Sequence, residues 1–338
     1  MTFWLWLFLA AGGAYVASRV ATGAVLGWLQ RRAILDRPNP RSSHAVATPR
    51  GGGLAVSGVV LAAWALIALA HADPAPRDWV VPGLALGLVG VSWLDDLRGV
   101  SVGLRLGAQA LAVGVALAVM PGLGQVFQGL LPFWFDVAAT ALLWVWFVNL
   151  FNFMDGIDGI TGVETGFIGL GVTAVALLTG WDAAQAFYGL TLAAAALGFL
   201  AWNWHPAKVF LGDVGSVPLG FLAGWLLLGA AAAGHWAAAL ILPLYYLADA
   251  GLTLARRALA GQRVWEAHKR HFYQRAHQGG LSHAAVVTRI AAANMVLLAL
   301  ALASLAGAGF GPAPWLALAA AGLTVALLLG HLAGHGRG

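Results

Sequence analysis

The segment 149–161, NLFNFMDGIDGIT, sets two amides and two carboxylates, Asn149, Asn152, Asp155 and Asp158, at intervals of three. Asn and Asp oxygens, together with retained waters, are the ligands that a small hard cation such as Mg2+ takes. The segment follows directly on the bulky apolar run 142–148, where polar side chains are costly unless they are partnered. On one ideal helix each three-residue step turns the side chain back by about 60°. Neighbours then share a face while the two ends point apart. Gly156 and Gly159 are expected to break the helix and let the four groups converge at a membrane edge. Capping of the next helix by one Asp is the alternative, and it leaves the other polar residues unexplained.

Four further polar islands carry chemistry. Asp95 and Asp96 in SWLDDLRG place adjacent carboxylates at a helix C-terminus, the unfavourable end for negative charge. They need a cation or a proton between them, and Arg98 alone would be the simple neutraliser. In the 203–216 segment, NWHPAKVFLGDVGS, Asp213 lies between Gly212 and Gly215. It reads as a metal ligand with glycines that admit a phosphate, or as a helix cap. The 36–53 segment, DRPNPRSSHAVATPRGGG, offers Arg37, Arg41 and Arg50 to phosphates, and its glycines offer backbone amides to an anion. A basic loop with a glycine hinge is the plainer reading of it. The 268–283 segment, HKRHFYQRAHQGGLSH, holds four His, two Arg and one Lys with Phe272 and Tyr273. Its spacing fits no familiar zinc pattern. Cations beside aromatic rings suit a nucleotide diphosphate, and a solvated basic loop is the alternative.

These islands interrupt a chain of 338 residues that is 61% hydrophobic and 9% charged, with a mean hydropathy of +0.82. Recurring apolar runs of that length read as membrane-spanning helices. The expected fold is therefore all-α, a polytopic membrane protein of about eleven spans. They fall at roughly 3–29, 52–71, 80–94, 102–120, 134–151, 162–180, 184–202, 216–232, 236–255, 285–307 and 313–333. The first of them reads as a transmembrane helix rather than a signal peptide, because no basic residue precedes Arg19. The polar segment at 256–282 is too short for a core of its own, so residues 1–338 are expected to form a single transmembrane domain. Without cysteine there is no thiol nucleophile and no thiolate metal site. A pI near 10.1 is explained by basic loops at one membrane face, with no nucleic-acid partner.

Sorting the loops alternately gives the topology. One set carries Arg31, Arg32, Arg37, Arg41, Arg50, Arg98, Lys208, Arg256, Arg257, Arg263, Lys269, Arg270, Arg275 and Arg337, and the other carries only Arg77. This places the first set in the cytoplasm and the N-terminus outside. The site is then expected from cytoplasmic loops 30–51, 95–101, 149–161, 203–216 and 256–284. One working face fits a catalyst better than a transporter, which needs polar groups through the middle. An intramembrane aspartyl protease would pair Asp213 with Asp249, leave the other acids idle, and place Asp213 at mid-span rather than at a loop edge.

In this order the motifs RSSHAVATPRGGG, DD, NLFNFMDGIDGITG, FLGDVGS and the His-containing loop resemble the polyprenyl-phosphate N-acetylhexosamine-1-phosphate transferases. The HFYQRAHQGGLSH form looks most like the subgroup that starts O-antigen chains with amino-deoxy sugars, and departs from the triple-His form of the peptidoglycan-precursor enzymes. The resemblance implies transfer of a HexNAc-1-phosphate from a UDP-sugar to undecaprenyl phosphate in the bacterial cytoplasmic membrane, releasing UMP. It implies Mg2+, with Mn2+ as the alternative. By analogy Asn152 and Asp213 hold the metal. Asp95 and Asp96 lie near the lipid phosphate, where one deprotonates it, and Asp155 and Asp158 complete the acidic centre. Arg41, His44, Arg50, Asn149, Asn203, Lys208, His268, His271, Arg275 and His277 are the candidates for holding substrate. Direct attack is preferred over an aspartyl-phosphate route, and a homodimer is compatible with the sequence.

Overall fold

A computed structural model describes residues 2–38, 46–71, 73–262, 269–306 and 310–336. Its elements are α1 Thr2–Arg31, a small antiparallel ribbon of β1 Leu35–Asp36 and β2 Thr48–Pro49, α2 Gly53–Ala70, α3 Pro76–Arg98, α4 Val102–Ala118, α5 Phe133–Phe153, α6 Ile160–Thr179, α7 Ala183–Asn203, α8 Asp213–Ala232, α9 Trp236–Ile241, α10 Leu244–Leu259, α11 Phe272–Gln278, α12 His283–Ala303 and α13 Pro312–His335. Among the described residues, nine helices are long and apolar enough to cross a membrane. The protein is an all-α polytopic membrane protein, as its hydropathy requires.

Two of the eleven expected spans take a different form. Val102–Ala118 is apolar but short of a full crossing. The 236–255 span divides into α9 and α10 around Leu242 and Pro243, because a proline nitrogen cannot donate to the carbonyl one turn earlier. The second piece is amphipathic: α10 buries Tyr245, Tyr246, Asp249 and Thr253 and exposes Leu252, Arg256 and Leu259.

The central helix is α8, buried along most of its length. Trp144 of α5 stacks on Phe221 with ring centroids 4.8 Å apart, and its indole N–H donates to the Phe221 carbonyl. Pro218 inside α8 leaves the Val214 carbonyl without its helical donor. The Ser57 hydroxyl of α2 donates to that carbonyl at 3.2 Å, which ties α2 to α8 at the polar end. On the other flank α7 lies between α1 and α6, where small residues permit close approach. Ser18 of α1 donates to the Ala195 carbonyl there at 2.7 Å.

The end opposite the basic loops is less bland than its sequence reads. Asp78 accepts from the Tyr188 hydroxyl at 3.0 Å and from the Ala75 N–H. Arg77 pairs with Asp182, which caps α7 through the Ala184 N–H. These contacts close turns and satisfy helix ends.

Candidate functional site

The expected break after α5 occurs. The helix ends at Phe153 and α6 begins at Ile160, so Asp155 and Asp158 lie on a turn that can aim them independently of Asn149 and Asn152. Gly156 is required by close approach, because a Cβ there would collide with the Tyr273 hydroxyl. That hydroxyl donates to the Phe153 carbonyl at 3.2 Å and fastens α11 onto the turn.

Four loop regions bring their charges to one place. Arg50 Nη2 lies 2.7 Å from Asp96 Oδ1 and 2.7 Å from Asp213 Oδ1. Arg105 Nη1 lies 2.9 Å from Asp95 Oδ2 and 3.7 Å from Asp213 Oδ2. Asn152 shares the head of the adjoining cleft with the Asp213 carboxylate. The paired aspartates divide their tasks. Asp95 accepts from the Val100 N–H and faces Arg105. Asp96 turns the other way and accepts from the Asp213 and Val214 N–H groups, at 3.1 and 2.9 Å. It thus satisfies the first amides of α8 from another helix, where negative charge meets the positive end of the macrodipole. Gly212 allows this at φ +76°, and any side chain there would strike the Asp96 carboxylate.

The glycine run 51–53 does not present its amides to an anion. The Gly51 and Gly52 N–H groups donate to the Phe210 carbonyl and Gly53 to Leu211, so their donors are already spent on the 210–211 backbone. Arg50 is instead the anion-facing part of that segment.

Asp155 sits beside this cluster. Thr161 Oγ1 donates to its carboxylate at 2.7 Å, and the buried Tyr246 hydroxyl backs Thr161 at 3.2 Å. Burial pushes the Asp155 carboxyl up to about 7. The Thr161 hydrogen bond opposes that rise and the nearby Asp213 charge adds to it. Asp158 turns away from the cluster. Its Oδ2 meets His205 Nδ1 at 2.6 Å, the Ala207 N–H at 3.1 Å and His283 Nδ1 at 3.2 Å. Burial alone would raise this carboxyl, but the hydrogen bonds from His283 and His205 hold it below the usual range.

A cleft of about 600 Å3 runs down from Asp95, Arg105, Asn152 and Asp213 between α3, α4, α5 and α10. Its walls are apolar, with Leu88, Leu106, Leu142, Val145, Trp146 and Leu254, and Asn149 and Gln109 sit partway along. Asn149 donates to Gln109 Oε1 and to the Val145 carbonyl. Across α10, Arg256, Arg257, Lys269, Arg270 and Arg275 line a second cleft of about 530 Å3 with Thr253 and Gln278.

The remaining candidates have mainly bracing partners. Asn203 accepts from the Gly159 N–H and donates to the Val209 carbonyl. His271 is buried with Nδ1 3.1 Å from Asp249, which also accepts from the Phe272 and Tyr273 N–H groups and the Tyr245 hydroxyl. Asp249 thus caps α11 and does not pair with Asp213. His277 donates through Nδ1 to the Leu281 carbonyl, 2.9 Å away. Lys208 lies over the Trp202 ring at 5.4 Å. Arg41, His44 and His268 fall outside the described residues. Arg105, Thr161, Tyr246, His205 and His283 were not named as site residues, although Thr161, His205 and His283 lie inside the polar segments singled out from the sequence. Arg105 carried a signal, a charge inside an apolar stretch; Tyr246 had nothing local to mark it.

Asp95, Asp213 and Asn152 supply an all-oxygen donor set at one point, which is the set that Mg2+ takes. Arg50 and Arg105 border it with positive charge, as a site receiving phosphates needs.

Residues 79–231 match the model of glycosyl transferase family 4. A decaprenyl-phosphate N-acetylglucosaminephosphotransferase of Mycobacterium leprae is 32% identical over 320 residues, spanning 82% of this chain and 78% of that protein. An undecaprenyl-phosphate alpha-N-acetylglucosaminyl 1-phosphate transferase of Yersinia pestis is 28% identical over 285 residues, 78% of this chain and 76% of that protein. A phospho-N-acetylmuramoyl-pentapeptide-transferase of Moorella thermoacetica is 33% identical over a shorter 207 residues, 55% of this chain and 63% of that protein. The family model spans Asp95, Asp96, Asn152 and Asp213, and with a relative 32% identical across 82% of this chain the chain belongs to glycosyl transferase family 4.

Proposed function

We propose that this protein transfers a HexNAc-1-phosphate from a UDP-sugar to undecaprenyl phosphate at the cytoplasmic face of a bacterial membrane, releasing UMP and starting a lipid-linked surface polysaccharide. The sugar is N-acetylglucosamine or an amino-deoxy relative such as N-acetylfucosamine or N-acetylquinovosamine. The observation that carries this reading is the junction of an apolar cleft with a charged head. Asp95, Arg105, Asn152 and Asp213 close one end of a slot whose walls are mostly apolar, with Ser92, Gln109 and Asn149 the polar residues farther along, a shape that matches an amphiphile with a phosphate head and an isoprenoid tail.

Mg2+ held by Asp213, Asn152 and Asp95 would supply Lewis acidity toward the pyrophosphate and the departing UMP. The chain's own residues do the rest. Arg50 and Arg105 offset the repulsion between two phosphate-bearing substrates and the charge that develops on the leaving group. A phosphate monoester has its second pKa near about 6, so most lipid phosphate arrives dianionic and is already a nucleophile. Asp155, held at about 7, takes the remaining proton, because a base near the working pH is the efficient one. Asp96, spent on the α8 amides and Arg50, positions Asp213 rather than moving protons. The basic cleft beside α10 receives the nucleotide. The N-terminus lies outside, following the loop charges.

The test is a panel of UDP-sugars offered to purified protein with undecaprenyl phosphate, with UMP release measured and the lipid product weighed by mass spectrometry. A lipid diphosphosugar that forms only with Mg2+, and is lost in Asp213→Asn and Asp155→Asn proteins that still melt cooperatively, supports the reading. Wild-type turnover in either variant, or labelled sugar crossing vesicles with no lipid product, would refute it.

A further inference from the structure

The turns at the end opposite the basic loops enclose a cleft of about 240 Å3. Helices α3 and α7 begin beside it, and α4 and α8 end there. Its walls include Arg77, Met120, Trp181, Asp182, Gln185 and Trp225. The proposed transfer does not use it, because the acidic cluster lies at the other ends of α3 and α8.

Two side chains of this wall are polar and incomplete. Gln185 is 5% exposed, and its Oε1 is buried without a hydrogen-bond partner among the described residues, as is Arg77 Nε. An unmet buried donor or acceptor is costly. A glutamine amide turns easily about its last torsion, so Gln185 can bring its oxygen to the lumen. The charges select the ligand. Arg77 Nη2 donates to Asp182 Oδ2 at 3.3 Å, and Arg77 Nε lies 3.9 Å from Asp78 Oδ1. One guanidinium therefore faces two carboxylates. A bare anion would meet net negative charge, and a bare cation would meet the guanidinium. A zwitterion laid antiparallel along the Arg77–Asp182 pair finds the opposite charge at both of its ends. Trp181 adds an aromatic ring for the cationic end. Gly229 of α8 leaves room for that ring, since a Cβ there would come within 3.2 Å of it. The volume is below the about 300–1,000 Å3 that holds a drug-sized ligand, so it takes a headgroup and leaves acyl chains outside.

We infer that this cleft binds the headgroup of a phosphatidylethanolamine lipid. The phosphodiester lies on Arg77, and the ammonium donates to Asp182 and Gln185 Oε1 beside the Trp181 ring. The acyl chains run down the apolar outside of the bundle. Following the loop charges, the lipid belongs to the outer leaflet. Its headgroup ties the starts of α3 and α7 to the end of α8. The inference does not depend on the transferase reading.

The experiment uses full-length protein stripped of bound lipid in detergent. Short-chain phosphatidylethanolamine, phosphatidylcholine and phosphatidylglycerol are titrated separately, with soluble glycerophosphoethanolamine as a fourth arm. Binding is read by native mass spectrometry and by the shift in melting temperature. The expected result is one saturable phosphatidylethanolamine per chain. Phosphatidylcholine has no ammonium N–H to donate and phosphatidylglycerol has no cation, so each should bind about tenfold more weakly or worse, the loss of a charged hydrogen bond. Gln185→Leu, which keeps the bulk of the side chain, and Arg77→Gln should both erase that preference. Phosphatidylglycerol held at the basic loops is recognised because Gln185→Leu leaves it unchanged. If Arg77→Gln fails to fold, Gln185→Leu decides alone. Equal binding of the three lipids, a preference unchanged in Gln185→Leu, or glycerophosphoethanolamine binding as tightly as the lipid overturns the proposal.

Discussion

Arg50 is the sharpest single test of the charge cluster. One of its nitrogens touches Asp96 and Asp213 at once, with Asp96 1% exposed, Asp213 15% and Arg50 35%. Opposite unit charges about 4 Å apart interact by about 4 kcal/mol at an effective dielectric near 20. Breaking a buried pair by removing one partner costs about 3–5 kcal/mol. Arg50 is a third exposed and Arg105 still faces Asp213, so the expected loss for Arg50→Met is smaller, about 2–4 kcal/mol. Most of that loss is repulsion between carboxylates, so a divalent cation should restore it. The assay is melting of purified protein by tryptophan fluorescence in chelator and in Mg2+. Arg50→Met should melt well below the wild type in chelator and recover most of the gap in Mg2+, while the wild type gains less. Melting together with the wild type in chelator, or a gap that Mg2+ leaves untouched, would show that Arg50 does not hold these carboxylates together.

Asp155 gives a pH prediction. Its folded pKa of about 7 lies above the unfolded value near 3.9, so its contribution to stability is complete below about pH 4 and is lost as pH rises through 7. Metal-free protein should therefore lose melting temperature across that window, and Asp155→Asn should flatten the slope. Because Thr161 holds that pKa down, Thr161→Val should move the acidic limb of the pH–rate profile upward; an unmoved limb would remove Asp155 from proton transfer. Gly156→Val collides with Tyr273 and should release α11, read as faster hydrogen exchange at 272–278 and a raised KM for the UDP-sugar. Leu254→Trp fills the apolar cleft and should raise KM for undecaprenyl phosphate about tenfold or more while leaving that for the UDP-sugar near wild type; equal effects on both would place the lipid elsewhere.

Hydropathy and loop charge made the helical membrane fold legible, because lipid leaves the backbone no other hydrogen-bonded choice. The break at 154–159 was legible from its glycines, and Asp213 from its place at a helix start. Partner choice was not. That Asp95 and Asp96 face opposite ways depends on how α3 crosses α8, and that Asp158 leaves the acidic group depends on His205 and His283, which are distant in sequence. The glycines at 51–53 misled for the same reason, since an amide's availability depends on the carbonyl opposite it. Pro243 was visible, but a run of apolar residues around it hid the division of one span into two helices.

The apolar cleft has one further consequence. Leu142 on its rim is 73% exposed and Val102 52%, large apolar side chains that suit a rim facing lipid better than one facing water. Under the proposed function, the lipid enters and leaves without quitting its leaflet, and encounter is a two-dimensional search. The quantity that sets its rate is then acceptor per unit area of bilayer. Adding inert phospholipid at a fixed amount of undecaprenyl phosphate should slow turnover by dilution of the surface alone, while the UDP-sugar continues to obey its bulk concentration.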